Sequence, residues 1–257
     1  MPEGDTVYRA AQRLNEVLAG SVLTRFELRV PQAATIDLTG SIVREVVPRG
    51  KHILHRIGEW TLHSHLKMEG EWHVYPHGGR WRQPGFKARA VVCNAEWDTV
   101  GFDLADIKVV PTRAEDQLVG HLGPDPLGPG WDAAEAARRF GADDRPAHVA
   151  LLDQRNIAGF GNEFANEILF VRGILPTTPA SETDAAAVID LGARMLRANR
   201  DRSGRTFTGD SRPGRSTWVY GREGRPCRRC GTIIREGSLG ADPTRERNTF
   251  WCPSCQT

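Results

Sequence analysis

Gly123-Pro-Asp-Pro-Leu-Gly-Pro-Gly130 divides this 257-residue chain in two. Its prolines lack an amide donor and its glycines favour turns, so neither a helix nor a strand runs through it. On its N-terminal side the texture is that of strands. The segments 53–57, 60–66, 71–74 and 88–94 are short, partly alternating and separated by glycine-bearing breaks. Only the beginning departs from this pattern. Val7, Ala10, Ala11, Leu14, Val17 and Leu18 recur at helical spacing, which predicts a helix over 5–19 with Asp5 or Thr6 as its cap and Gly20 as its stop. On the C-terminal side, periodicity predicts helices near 132–140, 145–155, 162–171 and 182–199, then a polar, arginine-rich and mobile loop over 200–216. The expected fold is α+β and multidomain. Residues 1–122 form a β-sandwich with an N-terminal helix, 123–131 a linker, 132–216 a helical domain and 217–257 a separate cysteine-bearing ribbon.

The ribbon rests on spacing. Cys227-Arg-Arg-Cys230 and Cys252-Pro-Ser-Cys255 are two C-x-x-C pairs with 21 residues between them. Each pair turns two thiolates toward one ion, and four thiolates make the closed tetrahedral site of one structural zinc, which holds a fold rather than performing chemistry. Redox or disulfide pairing is the alternative. The intervening stretches 232–236 and 247–251 read as the strands of a hairpin. Cys93, in an apolar run, is expected in the core. His63-Ser-His65 could offer two further ligands from one strand face, but no third ligand lies nearby in the sequence.

Composition excludes some classes. Hydrophobic residues make up 39% and charged residues 26%, ordinary for a soluble globular protein. No apolar run approaches the length of a membrane span, and no basic start leads into an apolar stretch, so the cytoplasm is the expected compartment. The net charge of +2 identifies no partner by itself. Its distribution says more: 114–144 holds seven acidic and two basic side chains, whereas 197–229 holds three acidic residues and ten arginines. Such asymmetry fits a polyanion-binding face, or on charge alone a solvated arginine-rich segment.

Four distant segments then acquire a joint meaning: Pro2-Glu3-Gly4; Arg49-Gly50-Lys51; Ile157-Ala-Gly-Phe-Gly-Asn-Glu163; and Val219-Tyr-Gly-Arg-Glu-Gly-Arg-Pro-Cys227 leading into the cysteine pairs. Together they resemble the formamidopyrimidine-DNA glycosylase and endonuclease VIII family, in order and at fitting distances from residue 2 to residue 256. The resemblance implies a bifunctional DNA glycosylase and abasic-site lyase of base excision repair. After removal of Met1, the Pro2 amine would attack C1′ of the damaged nucleotide, and Glu3 would act as general acid–base. Lys51 would contact a phosphate beside the lesion and assist elimination. Asn162, after the Gly159-Phe-Gly161 turn, would form an anion cradle at a helix start within a helix–two-turn–helix. Arg247, with Arg245 as a weaker neighbour, would grip phosphates from the ribbon. Met68, within Ser64-His-Leu-Lys-Met-Glu-Gly70, would enter the space left by the extruded base, unless it is simply a core residue.

The region 103–109 reads Asp103-Leu-Ala-Asp-Ile-Lys-Val109, without the Arg-Arg-Phe-Gly loop of the purine-specific branch, and the opening lacks that branch's Pro-Glu-Leu-Pro-Glu. Both departures point to the endonuclease VIII side and oxidised pyrimidines, such as thymine glycol and 5-hydroxyuracil. They make single-stranded or bubble DNA a substrate beside damaged duplex, for an enzyme acting as a monomer, at the nucleoid if bacterial. The rival readings are an 8-oxoguanine-type glycosylase, a non-catalytic damage-binding protein and a zinc-ribbon scaffold.

Overall fold

The computed structural model describes residues 2–240, 242, 244 and 246–257; Arg245 lies outside the described residues. Two compact units result, Met1–His121 and Leu122–Thr257.

The first unit opens with α1 (Gly4–Leu18), whose Val7, Ala11, Leu14, Val17 and Leu18 form one buried stripe. The expected caps are displaced. Glu3, not Asp5 or Thr6, is the N-cap, with extended backbone at φ −122° and ψ −175°, so the helix starts beside Pro2. Asp5 instead sits buried in the first turn, 3.7 Å from Arg9. Eight strands follow: β1 (Arg25–Leu28), β2 (Val43–Arg49), β3 (His52–Ile57), β4 (Trp60–His65), β5 (Glu71–Pro76), β6 (Ala88–Cys93), β7 (Trp97–Phe102) and β8 (Asp106–Pro111). They pair antiparallel into two sheets of order β1-β6-β7-β5 and β2-β3-β4-β8. A short helix, α2 (Asp116–Val119), completes the unit.

Phe26, Val46, Ile53, Leu62, Ala90, Val92 and Ile107 join the α1 stripe in the core of the sandwich. The polar handle Asn15 locks the helix to β2 by accepting from the Val46 N–H at 2.8 Å. In β6 both faces are apolar, because Val91 and Cys93 point into a second cluster with Tyr75, Val100 and Phe102, against which Trp81 packs. Burial on both sides explains why this strand reads as a continuous apolar run rather than an alternation.

The second unit contains α3 (Ala133–Gly141), α4 (Ala147–Leu152), α5 (Asn162–Arg172), α6 (Ala185–Arg200) and the hairpin β9 (Arg235–Leu239) and β10 (Arg247–Trp251). The proline-rich stretch is packed rather than loose. Gly123 donates to Gln154 O, and Ala158 donates to Pro124 O. A Cβ at position 123 would stand 2.5 Å from Arg155 O, which is why glycine occupies it. The expected mobile loop is likewise pinned: Asn199 exchanges bonds with Thr206 in both directions, and Phe207 stands edge-on to Phe164.

Nor does the ribbon stand apart from the helices. Phe170 of α5 shares a cluster with Val219, Cys227, Ile234, Phe250 and Cys252. Glu167, fully buried on the same helix, accepts the N–H groups of Trp218, Val219 and Tyr220 at 2.8–2.9 Å. The first hairpin strand starts at Arg235 instead of 232, because Thr232 is engaged in the cysteine turn, where its carbonyl accepts from Cys227 N at 2.8 Å.

Candidate functional site

Pro2 is half-buried, and Glu3 is 0% exposed at the positive end of α1. Oriented N–H groups at a helix start favour a neutral amine beside them, whereas a carboxylate favours a protonated one. Both influences would bear on the Pro2 nitrogen only once Met1 is removed.

Lys51 lies in the β2–β3 turn, where Gly50 takes φ 58°, a conformation that favours glycine. Beside it stand three imidazoles. His52 Nδ1 is 2.7 Å from His63 Nε2, and the His52 and His65 rings lie 4.8 Å apart. Burial lowers all three, His52 to about 3 and His65 to about 4, so they are neutral at physiological pH. These histidines form no metal-binding group of three; among the described residues only the four cysteines do.

Met68 lies in the turn between β4 and β5 and is 64% exposed, which removes the core alternative. The turn is tight. Leu66 is buried, Lys67 takes φ 51°, and Gly70 N–H closes onto Leu66 O at 2.9 Å. Met68 is therefore presented outward from an anchored loop.

Asn162 is only 5% exposed and begins α5. Its carbonyl oxygen lies 2.9 Å from His148 Nε2 on α4, and its amide donates to Asn248 O on β10 at 2.9 Å. Asn166, one turn later, donates to Asn162 O at 2.7 Å and accepts the Phe250 N–H at 2.6 Å. These bonds commit much of the Asn162 side chain to joining α4, α5 and β10. Arg247, exposed at the beginning of β10, immediately precedes the Asn248 carbonyl that Asn162 holds. Its position is thus tied to the start of α5.

The four cysteine sulfurs lie within 4.8 Å of one another, and none is in a disulfide. Cys230 and Cys252 sulfurs are 3.5 Å apart, and those of Cys227 and Cys255 are 4.0 Å apart. A tetrahedral ion with bonds of about 2.3 Å requires sulfurs roughly 3.8 Å apart, so the cluster fits such an ion.

The sequence reading missed His52, His148, Asn166 and Glu167. A signal existed for the last two: Asn162, Asn166 and Glu167 interrupt an apolar helix, and buried polar groups need partners. Their partners come from the ribbon and were not readable locally.

This burial has a pH consequence. His55, enclosed in the sandwich, is lowered to about 3, and His148 to about 4, both chiefly by desolvation. With His52 and His65, they bind protons when unfolded but not when folded across the window from about 6.5 down to 3–4. Their contribution is present above that window and is lost as pH falls through it, each by up to about 1.4 kcal/mol per pH unit. Glu167 opposes them. Burial raises it to about 7 against its three N–H donors, so it favours the folded state below that value. Four groups outweigh one, and the urea midpoint should fall between pH 7.5 and pH 5. A flat or rising midpoint would refute this sign.

This fold is shared with solved DNA-bound glycosylases. The crystal structure of Lactococcus lactis Fpg with an abasic-site DNA covers 100% of both chains at a TM-score of 0.82 and 22% identity. Residues 1–117 match the formamidopyrimidine-DNA glycosylase N-terminal domain, and 122–196 match the H2TH domain of the same glycosylases. The chain belongs to the formamidopyrimidine-DNA glycosylase family. Within it, the chain is 48% identical to a Streptomyces coelicolor protein named "Probable endonuclease 8 2", covering 100% of this chain and 94% of that one. It is 47% identical to the DNA-(apurinic or apyrimidinic site) lyase Nei2 of Mycolicibacterium smegmatis, covering 100% and 99%.

Proposed function

We propose that this protein is a bifunctional DNA glycosylase and abasic-site lyase of the endonuclease VIII type, acting on oxidised pyrimidines in damaged DNA. The observation that carries this reading is the Pro2-Glu3 pair at the start of α1, with the Glu3 carboxyl buried, in a chain whose close relatives are an endonuclease 8 and an abasic-site lyase.

With Met1 removed, the neutral Pro2 nitrogen attacks C1′ as the bond from C1′ to the base breaks, and the departing base takes up a proton. The C1′–O4′ bond then breaks, O4′ taking a proton from Glu3, and the secondary amine is left as an iminium whose charge needs no further proton. That charge acidifies C2′; loss of a C2′ proton breaks the C3′–O bond and releases the 3′ phosphate, and water frees the amine from the sugar. Glu3 delivers and accepts protons at the sugar. Lys51 meets a phosphate beside the lesion, with neutral imidazoles rather than rival cations behind it. The start of α5 with Asn162, and Arg247 on the hairpin, hold further phosphates without reading sequence. Met68 enters the vacated stack.

The metal is zinc, held by Cys227, Cys230, Cys252 and Cys255. Four thiolates leave no open position, so it orders the ribbon and takes no part in the reaction. No helix among the described residues is long and apolar enough to cross a membrane, and the enzyme works as a monomer on DNA in the cytoplasm.

Borohydride trapping on abasic-site DNA tests the chemistry, since reduction of the iminium leaves a covalent protein–DNA adduct. A non-catalytic binder would give none. A cleavage panel of 8-oxoguanine, thymine glycol and 5-hydroxyuracil, in single- and double-stranded DNA, tests the branch. Efficient removal of 8-oxoguanine opposite cytosine would overturn the pyrimidine assignment.

A further inference from the structure

Met68 and Phe86 are the two most exposed large apolar side chains among the described residues, at 64% and 78%. Strand register brings them to one end of the same sheet. Glu71 of β5 and Ala88 of β6 both stand opposite Phe102 of β7. Met68 precedes Glu71 by three residues, and Phe86 precedes Ala88 by two.

The Phe86 loop is braced rather than slack. Lys87 N–H closes onto Pro84 O at 3.0 Å, and Asp103 N–H donates to Lys87 O at 2.9 Å. Lys87 Nζ pairs with the Asp103 carboxylate at 2.9 Å, Gln83 donates to Glu71 at 2.8 Å, and Arg29 and Arg89 donate to the carbonyls of Gly85 and Phe86. An aromatic ring left in water at the tip of so constrained a turn, with Lys87 and Arg89 following it, has the composition of a nucleic-acid stacking platform.

The neighbouring β7–β8 turn offers no such prong. Asp103 takes φ 48°, and Leu104, the apolar residue of the turn, is 4% exposed and folds back so that a Cβ on Gly101 would meet it at 2.3 Å. Extrusion of one nucleotide leaves two apolar needs, the empty slot in the damaged strand and the unpaired base across from it. Resting on the proposed glycosylase function, with Met68 assigned to the slot, we propose that Phe86 stacks on the orphaned base of the opposite strand. It would thereby bear on how the enzyme handles duplex as against single-stranded lesions.

The test uses the full chain with Phe86→Ala and Phe86→Trp. Phe86 is exposed, so neither change disturbs the core. One arm places 2-aminopurine opposite a non-cleavable tetrahydrofuran site and reads its fluorescence on binding. Wild type and Phe86→Trp should quench it, and Phe86→Ala should leave it bright. The other arm compares kcat/KM on a 5-hydroxyuracil duplex and on the same strand alone. Phe86→Ala should lose about tenfold on duplex, the scale of one lost base–aromatic stack, and nothing on single strands, with Phe86→Trp restoring the duplex rate. Equal quenching by wild type and Phe86→Ala, or an equal loss on both substrates, would overturn the proposal. The fluorescence arm needs no catalysis, so it stands even if borohydride trapping disproves the lyase reading.

Discussion

Adding one residue ahead of Pro2 should abolish strand cleavage while leaving DNA binding in place. An extra residue converts the Pro2 nitrogen into an amide, whose lone pair is delocalised into the carbonyl and no longer attacks C1′. The loss should be at least about 10³-fold in kcat, the scale on which covalent enzymes fail without their nucleophile. Borohydride trapping should vanish in parallel. Pro2→Gly is the subtler variant, because it keeps an amine at the terminus, although a primary one. It forms a neutral imine that must be protonated before it withdraws electrons, so its elimination should slow while trapping persists. Mass spectrometry of the active enzyme supplies the decisive control. If protein that retains Met1 cleaves abasic DNA at the full rate, Pro2 is not the nucleophile.

Loss of the metal should have the second largest effect, and it should reach beyond the ribbon. Structural zinc contributes about 10–16 kcal/mol of apparent binding energy in small finger peptides, against a net stability of roughly 5–15 kcal/mol for a whole domain. In this protein Cys227 and Cys252 belong to the same apolar cluster as Phe170 of α5, and Glu167 takes three N–H groups from the segment leading into the ribbon. Release of the ion would leave a buried carboxyl without its donors and α5 without its cover. Cys252→Ser, or treatment with a strong chelator, should remove the one equivalent of metal, proposed to be zinc, lower the melting temperature of the second unit and reduce DNA affinity. The salt dependence of the remaining binding should flatten if, as proposed, Arg247 contacts a phosphate. Cys93→Ala is the matched control. That thiol is buried in the sandwich and pushed up to about 12, chiefly by desolvation, so its replacement should leave the zinc content at one. Full DNA affinity in metal-free protein would refute the structural role of the ion.

What could be read in advance differed from element to element. The α1 stripe was legible because one face of that helix meets a sheet and the other meets water, which writes a 3.6-residue period into the chain. In α5 nearly every position is buried, so there was a segment to find but no face to assign. The strands that alternate only weakly are those enclosed on both sides, with β6 the clearest case. Displacement of the α1 cap to Glu3 turned on backbone angles that composition does not encode.

The chain's own order of residues determined the features that depend on neighbours along it. These are the sandwich-then-helices layout, the paired cysteines, the proline and carboxylate at the start of a helix, and the placing of Lys51 and Met68 on turns. Each follows from spacing, turn chemistry or capping, which act over a few residues. Only the tertiary structure decided the rest: that His148, Asn162 and Asn166 bind β10 to α5, that Glu167 is buried to hold the ribbon, and that Phe86 shares a sheet end with Met68 while Leu104 turns inward. Those facts rest on hydrogen bonds and strand pairings between residues tens of positions apart. A buried polar group is satisfied by whatever the fold brings to it, and the local sequence does not name that partner.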